Sequence, residues 1–443
     1  MRTLAIWPTL AAALILAARE APAQLKAGVG RAEVTPPVGG RMYGYGARGD
    51  NVSTGVHDPL MAKALVLDDG ATRLALVTLD LGSFPEANTA AVKAGVQGTA
   101  GIEHVLLVAS HSHSTGVFDD AFPNAEEPYP RRVELRIIGA VEQAARSLQP
   151  ARLGVGWGEA REGHNRRFVL PNGQATMLWA NRQRVSTNPV DYRVGVLRVE
   201  NLEAEPIALV VNFQCHPVVL GPENLEISAD YPGAMMRVVE AELGGQCMFM
   251  QGAAGDINPY WDKTPPNEGA FDRMERMGRA LAEEVIRVAR AIEDVDADPR
   301  LSVRTQIIPL AHRWDLKDPA IQASIRELYG ERRLRMYLER YNRDLRAEIN
   351  TVLIGPEIAL ATFPGEFFVE HGLALRAQSL FKHTFFAGYC NGMLGYFPTI
   401  KACTEGGYGA AEATIVEVGA GEKLVHQALI NLYYQAGKLR TVP

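Results

Sequence analysis

Six short apolar runs recur along the chain, and each ends in a polar or glycine-rich turn. Residues 74–79 run into Asp80, 105–109 into His111 and 207–213 into His216. Residues 247–250 lead into Gly252-Ala253-Ala254-Gly255-Asp256, 358–363 into Pro364-Gly365-Glu366, and 385–387 into a segment carrying Asn391 and Tyr396. Runs of this length bounded by turn residues predict strands. Between them, apolar residues at spacings of three and four, as in Met274, Met277, Leu281, Val285, Val288 and Ile292, predict amphipathic helices, and residues 133–148 carry a similar pattern. Strands alternating with helices define an α/β class, a mixed β-sheet with flanking helices. Ligands of open α/β sheets bind beyond the carboxyl ends of the strands. His111, His113, His216, Asp256, Glu366 and Tyr396 all fall there, so the pattern places a metal site at the strand ends.

Two kinds of segment depart from this plan. Residues 316–348, with Arg332, Arg333, Arg335, Glu339, Arg340 and Arg343, read as a charged helical insertion. Such a run predicts a solvated helical pair or an oligomer contact, with a lid over the site as the sharper alternative. The proline-rich loops 117–130 and 258–270 each follow a candidate site residue and read as substrate-binding walls. Phe118, Phe122, Tyr129, Tyr260 and Trp261 in these loops are candidates to line an apolar or sugar-binding mouth.

The N-terminal segment changes the expected compartment. Arg2, the apolar stretch 4–18 and Ala21-Pro22-Ala23 form the three parts of an export signal over residues 1–23, with cleavage leaving Gln24 first. An uncleaved anchor is the competing reading; the apolar stretch is short for a span of about 20 residues, and Arg19-Glu20 interrupts it. The expected product is a periplasmic or secreted catalytic domain over 24–443, with no integral membrane segment after signal cleavage. Export permits disulfides among Cys215, Cys247, Cys390 and Cys403. Cys390 and Cys403 bracket one loop, whereas two of the cysteines lie in apolar runs where a buried free thiol is the commoner outcome. With 443 residues, 47% of them hydrophobic, the chain can build a sizeable core. Its net charge of -6, without a long basic run, argues against nucleic-acid partners. The oligomeric state has no signature.

The candidate chemistry starts at Ser110-His111-Ser112-His113-Ser114. Alternation along an extended backbone puts residues two apart on one side, so the two imidazoles converge. Zinc accepts neutral imidazole nitrogen and draws its ligands from separated parts of a fold; hydrogen-bonded loop histidines are the alternative. Asp256 is placed either to orient a ligand or to cap a helix. His57, beside Asp58, reads as a loop histidine with a structural bond or as support to the site, and His312 and His426 carry no pattern.

Several peptides then stand in order: Gly28-Val29-Gly30-Arg31-Ala32-Glu33-Val34-Thr35-Pro36, Ser110 to Gly116, Asn165-Arg166, Phe213-Gln214-Cys215-His216-Pro217, Gly255-Asp256-Ile257-Asn258-Pro259, Phe363-Pro364-Gly365-Glu366-Phe367 and Gly388-Tyr389-Cys390-Asn391 through Gly395-Tyr396. In type and order this series resembles the amidohydrolase domain of the neutral, non-lysosomal ceramidases. The resemblance implies a zinc ion (Zn2+) held by His111, His216, Glu366 and Tyr396, with His113 and Arg166 acting on the substrate carbonyl or the proton transfers. It implies amide hydrolysis by zinc-activated water on a small or amphipathic N-acyl substrate.

The chain departs from that pattern at Asn258, where the ceramidases carry the serine commonly assigned as nucleophile. Either water attacks directly, or Asn258 positions substrate by hydrogen bonding, or the reaction has changed. The resemblance also leads one to expect a C-terminal immunoglobulin-like domain, and no sequence after residue 434 supplies one. Two other functions remain open at this level: a zinc-dependent glycan hydrolase or lyase on the same scaffold, and a non-catalytic binding homologue.

Overall fold

The structure is a computed structural model describing residues 24–118, 128–187, 189–341 and 344–440. The export-signal segment, Phe122 and Arg343 lie outside the described residues.

All six apolar runs are strands, and they divide between two sheets. The larger sheet contains Lys26–Glu33 (β1), Met61–Asp68 (β2), Arg73–Leu79 (β3), His104–Ala109 (β4), Gln149–Glu159 (β5), Arg193–Asn201 (β6), Pro206–Phe213 (β7) and Gln246–Gln251 (β8). Its order is β8-β7-β6-β5-β1-β2-β3-β4, antiparallel except for the outer pairs β7/β8 and β3/β4. The second sheet is Leu301–Leu310 (β9), Leu345–Ile354 (β10), Ile358–Thr362 (β11) and His383–Ala387 (β12), with β11 and β12 parallel.

Alternation along the strands separates two cores. In β7, Leu209, Val211 and Phe213 face helices Asp230–Leu243 (α3) and Ala270–Arg290 (α4), packing with Met235, Val239, Leu281 and Val285. Ala208 and Val210, one residue out of phase, meet Val352, Ile354, Leu360 and Phe385 of the second sheet. Helices Glu86–Ala100 (α1) and Tyr129–Arg146 (α2) cover the other half of the large sheet through Val92, Val96, Val133 and Ile137. Helices Pro319–Tyr329 (α5), Glu331–Tyr341 (α6), Val369–Gln378 (α7) and Ala420–Gln435 (α8) cover the second sheet. The result is a helix–sheet–sheet–helix stack. No described helix is long and apolar enough to cross a membrane.

The large sheet is curled so that its outer strands meet. Gln246 of β8 donates from Nε2 to the Ala64 carbonyl of β2 at 3.0 Å, and Lys63 of β2 reaches the Cys247 carbonyl at 2.9 Å. Buried Lys63 also pairs with Glu240 of α3 at 2.5 Å, which satisfies an ammonium that would otherwise be costly to bury. The curl brings the exits of β4, β7 and β8 to one place. The four cysteines are all unpaired, with Cys215, Cys247 and Cys390 buried, so the free-thiol expectation holds and the Cys390–Cys403 closure does not form.

Candidate metal centre

Three βαβ units deliver the site. β3-α1-β4 ends at His111 and His113, β7 ends at His216 ahead of α3 and β8, and β11 runs into Glu366 ahead of α7 and β12. Alternation along β4 does not place the paired histidines, because β4 stops at Ala109 and His111 has φ 69°. A non-glycine residue in that left-handed region is disfavoured by roughly 1–2 kcal/mol, a local cost tolerated where the surroundings fix the conformation. Here the His111 N–H donates to Leu81 O at 2.9 Å and the Ser110 N–H to Leu79 O at 2.8 Å. The two imidazoles thus converge through a tight turn. Gly44 makes room for the second one: its φ is +96°, and a Cβ there would lie 2.4 Å from the His113 ring.

Glu366 is set by a short parallel ladder with Tyr396, its N–H donating to Gly395 O at 2.9 Å. Gly255 passes so close that a Cβ would lie 2.5 Å from the Glu366 carbonyl. His111, His113 and His216 offer ring nitrogens within 4.8 Å of one another, a group able to hold a metal ion.

The hydrogen bonds fix how these rings present themselves. Nδ1 of His111 lies 2.6 Å from Gly82 O, and Nδ1 of His216 lies 2.6 Å from Ala254 O. Carbonyls only accept, so these bonds assign a proton to Nδ1, which in the neutral form of the ring leaves the lone pair on Nε2. Those lone pairs face Glu366 Oε2 at 3.3 and 3.1 Å. His113 Nε2 approaches His111 Nε2 at 3.2 Å. Electron-rich atoms pointed at a common space repel unless a cation lies among them, and carbonyl-anchored imidazoles with a carboxylate are a donor set for a divalent metal.

Burial lowers the His216 pKa to about 4 and, with the neighbouring His111 and His216 rings, holds His113 well below its ordinary value. Both are neutral at physiological pH. Burial penalises the Glu366 carboxylate, while protons on the His111 and His216 nitrogens facing it would hold it well below the usual range; with lone pairs there instead, a bound cation would take over that role. Burial and the Glu366 charge push the Tyr396 phenol well above its ordinary value, so it keeps its proton; a cation beside it would oppose that shift.

Arg166 is buried next to this group. Its Nη2 donates to Gly255 O at 2.6 Å and to the Tyr396 hydroxyl at 3.1 Å, and its Nη1 donates to Asn258 Oδ1 at 3.2 Å. Trp179 lies beneath the guanidinium at 5.0 Å. Burial opposes the charge, but Tyr396 and Glu366 override it, and the guanidinium stays ionised. Asn258 donates in turn to Asp262 Oδ2 at 2.8 Å, and Lys263 pairs with the same oxygen at 2.7 Å. The amide that stands at the serine position is thus engaged on both sides.

The remaining candidates sort clearly. Asp256 follows the capping alternative: Oδ1 accepts from the N–H of Val369, the first residue of α7, at 2.8 Å, and Oδ2 accepts from Asn165 at 2.8 Å. His57 stacks on Phe271 at 4.2 Å, away from the centre. Asn391 staples the exit of β12 to β4, accepting from Leu107 N at 2.8 Å and donating to Val105 O at 3.1 Å.

A cavity of about 860 Å³ opens onto His111, His113, Glu366 and Tyr396. The loop aromatics among the described residues do not line it. Tyr129 is wholly buried, with its hydroxyl donating to Val34 O; Phe118 packs on Phe84 and Tyr129 in the core; Tyr260 and Trp261 line a separate cleft. Instead α6 forms one wall through Arg333, Met336 and Arg340. Residues 316–348 therefore include two helices, one of which borders the site as well as solvent. Sequence reasoning missed Tyr43, Gly44, Gln251, Trp179 and Met336, of which only the glycine-rich stretch around Gly44 held a signal; Arg333 and Arg340 were named in the charged insertion, whose sharper alternative was a lid over the site.

Two sheets stacked between helices, with an imidazole–carboxylate group at their strand ends, define a metal-competent α/β scaffold. The chain belongs to the neutral/alkaline non-lysosomal ceramidase family, whose N-terminal model matches residues 25–266, more than half of the sequence. A curated relative, the neutral ceramidase of Pseudomonas aeruginosa, is 26% identical over 289 residues, which cover 60% of this chain and 42% of that protein. The match thus spans under half of the relative's length. The crystal structure of neutral ceramidase from Pseudomonas aeruginosa superposes with a TM-score of 0.76 at 20% identity, over 95% of this chain and 75% of that one. A ceramidase complexed with C2 gives 0.73 at 19% identity, over 95% of this chain and 77% of that one. These structural likenesses carry the fold.

Proposed function

We propose that the protein is an exported zinc-dependent amidohydrolase that cleaves the N-acyl bond of an amphipathic substrate. The observation that carries this reading is the pair of carbonyl-anchored imidazoles, His111 and His216, whose Nε2 atoms share one oxygen of Glu366. Zinc bound there supplies a water whose pKa falls to near 7 and polarises an acyl carbonyl.

The chain's own residues do the rest. His111, His216 and Glu366 would hold the ion, and Tyr396, beside Glu366 on the paired strand, would serve as either a further ligand or a hydrogen-bond donor to the oxygen on which charge develops. Arg166 fixes positive charge against the Tyr396 hydroxyl. His113 is neutral and presents Nε2 to the same space, with Nδ1 packed against Gly44; it accepts the water proton and passes it to the departing amine. Asn258 anchors Arg166 through its carbonyl oxygen, so in this reading the residue at the serine position orients a cation and water attacks without a covalent intermediate. The apolar part of the cavity, with Met336, Met393, Leu394 and Ile415, suits an acyl chain.

Export is supported by the tripartite pattern of residues 1–23 and is checked by N-terminal sequencing of periplasmic or secreted protein, which should begin at Gln24. The activity is tested by incubating zinc-loaded protein with a panel of N-acyl amides, including ceramide, and with oligosaccharides. Fatty-acid release abolished by a chelator supports the reading. Sugar-end products instead, or no turnover of any substrate by metal-replete protein, overturn it.

A further inference from the structure

The cavity in front of the metal centre is lined by as many carboxylates as cations, but two of its half-buried cations have no ion-pair partner among the described residues. Lys93 pairs with Glu348 at 2.6 Å, Glu86 accepts the Met393 N–H at 3.1 Å, and Glu366 faces the imidazoles of the metal centre. Asp344 and Arg346 are exposed at the rim. Arg333 and Arg340 differ. Seven residues apart on α6, with Met336 between them, they share one helical face, are half-buried, and both line the cavity.

Neither guanidinium has a carboxylate within ion-pair distance among the described residues. Arg333 touches only the Met336 sulfur and the Tyr408 ring, 5.8 Å away. Tyr408 lies 5.7 Å from Arg166 on its other approach and 5.6 Å from Tyr396, so Arg333 is one ring removed from the centre. Arg340 is nearer still: its Nη1 lies 3.7 Å from the position a Cβ would take on Gly395, the residue whose carbonyl holds the Glu366 N–H.

We propose that Arg333 and Arg340 form an anion-reading subsite, and that the substrate is an N-acyl amide carrying a carboxylate, with its scissile carbonyl at the metal centre. The assignment of the scissile bond rests on the amidohydrolase reading; the anion subsite does not. The arginine fork matches a carboxylate geometrically and satisfies it with charge-assisted hydrogen bonds. A neutral amide would partly desolvate two cations without giving either a partner. At about 860 Å³ the cavity has room for an acyl chain beside Met336 and Leu394 as well as the charged end.

The test compares a charged and a neutral ligand that cannot be cleaved. One is the ketone in which a methylene replaces the amide nitrogen of N-dodecanoylglycine; the other is the same ketone with its carboxylate converted to a carboxamide. Titration calorimetry on the metal-loaded full chain should show the acid binding roughly 10- to 100-fold more tightly, as expected for hydrogen bonds to a charged group. The preference should fall towards unity in the Arg333→Gln/Arg340→Gln double variant and return in part with lysine at both positions. The two single glutamine variants carry the test if the double variant fails to fold. Equal binding of the two ketones by the wild type, or a preference that survives loss of both arginines, overturns the proposal. Parallel assays on N-dodecanoylglycine and N-dodecanoylethanolamine separate the two levels. Charge-selective binding without cleavage of either amide removes the amidohydrolase reading and leaves the subsite; cleavage of both with equal kcat/KM removes the subsite and leaves the amidohydrolase.

Discussion

The side-chain nitrogen of Gln251 donates to the carbonyl of Ser110 at 3.1 Å, tying the last residue of β8 to the residue that precedes His111. The same nitrogen donates to the Cys215 carbonyl, ahead of His216, at 2.9 Å. One fully buried amide therefore sets the separation of two imidazoles that lie more than a hundred positions apart. Gln251→Leu deprives the Ser110 carbonyl of this donor, at a cost of roughly 1–3 kcal/mol, while the Cys215 carbonyl keeps the Tyr231 hydroxyl at 2.6 Å. The expected result is a lower melting temperature together with weaker zinc binding. An unchanged zinc affinity in folded variant protein would show that the amide does not position the rings.

Glu366 and His111 are expected to be required for the metal. Purified wild-type protein should contain about one zinc per chain, and Glu366→Gln or His111→Ala should lose most of it in elemental analysis. Normal metal content in both variants would end the site assignment.

Asn258 is expected to act through Arg166. Replacing it by alanine removes the acceptor for Nη1 and the donor to Asp262, so kcat should fall at least about 10-fold, the equivalent of roughly 1.4 kcal/mol, while KM moves less. Asn258→Ser should not be needed to obtain turnover. A wild-type protein inert on every acyl amide until serine is introduced would remove the direct attack by water.

Asp80, at the end of β3, accepts the Met61 N–H at 2.9 Å, and burial raises its pKa to about 7. The unfolded carboxyl titrates near 3.9. Between these values the folded state binds more protons than the unfolded state, so this group's contribution to stability falls as pH rises from about 4 to about 7. Asp80→Asn should therefore melt higher than wild type at pH 8, and the advantage should shrink towards pH 4. Thermal melts across that range check the sign; a variant destabilised equally at both ends would contradict it.

Much of the architecture was legible in the order of residues. Apolar runs ending in turns located β3, β4, β7, β8, β11 and β12, and the residues just past them include His111, His216 and Glu366. Strand formation and the turns that stop it depend on near neighbours, so a local pattern exposes them. Asp256 was ambiguous because capping and ligand support draw on the same short acidic side chain; the N–H of Val369, more than a hundred residues later, settled it. Phe118, Tyr129, Tyr260 and Trp261 misled because apolar residues near a site can turn either to the cavity or away from it, as Tyr129 turns to the core.

The sequence by itself determined which elements form, that their carboxyl ends carry imidazoles and carboxylates, and which family pattern these follow. Only the tertiary structure decided that the large sheet curls until its outer strands meet, that His113 joins His111 through a left-handed turn beside Gly44, and that α6 brings Arg333 and Arg340 to the cavity. Those outcomes rest on contacts between distant parts of the chain and on the exclusion of water from what lies between them, and neither is encoded in any local spacing.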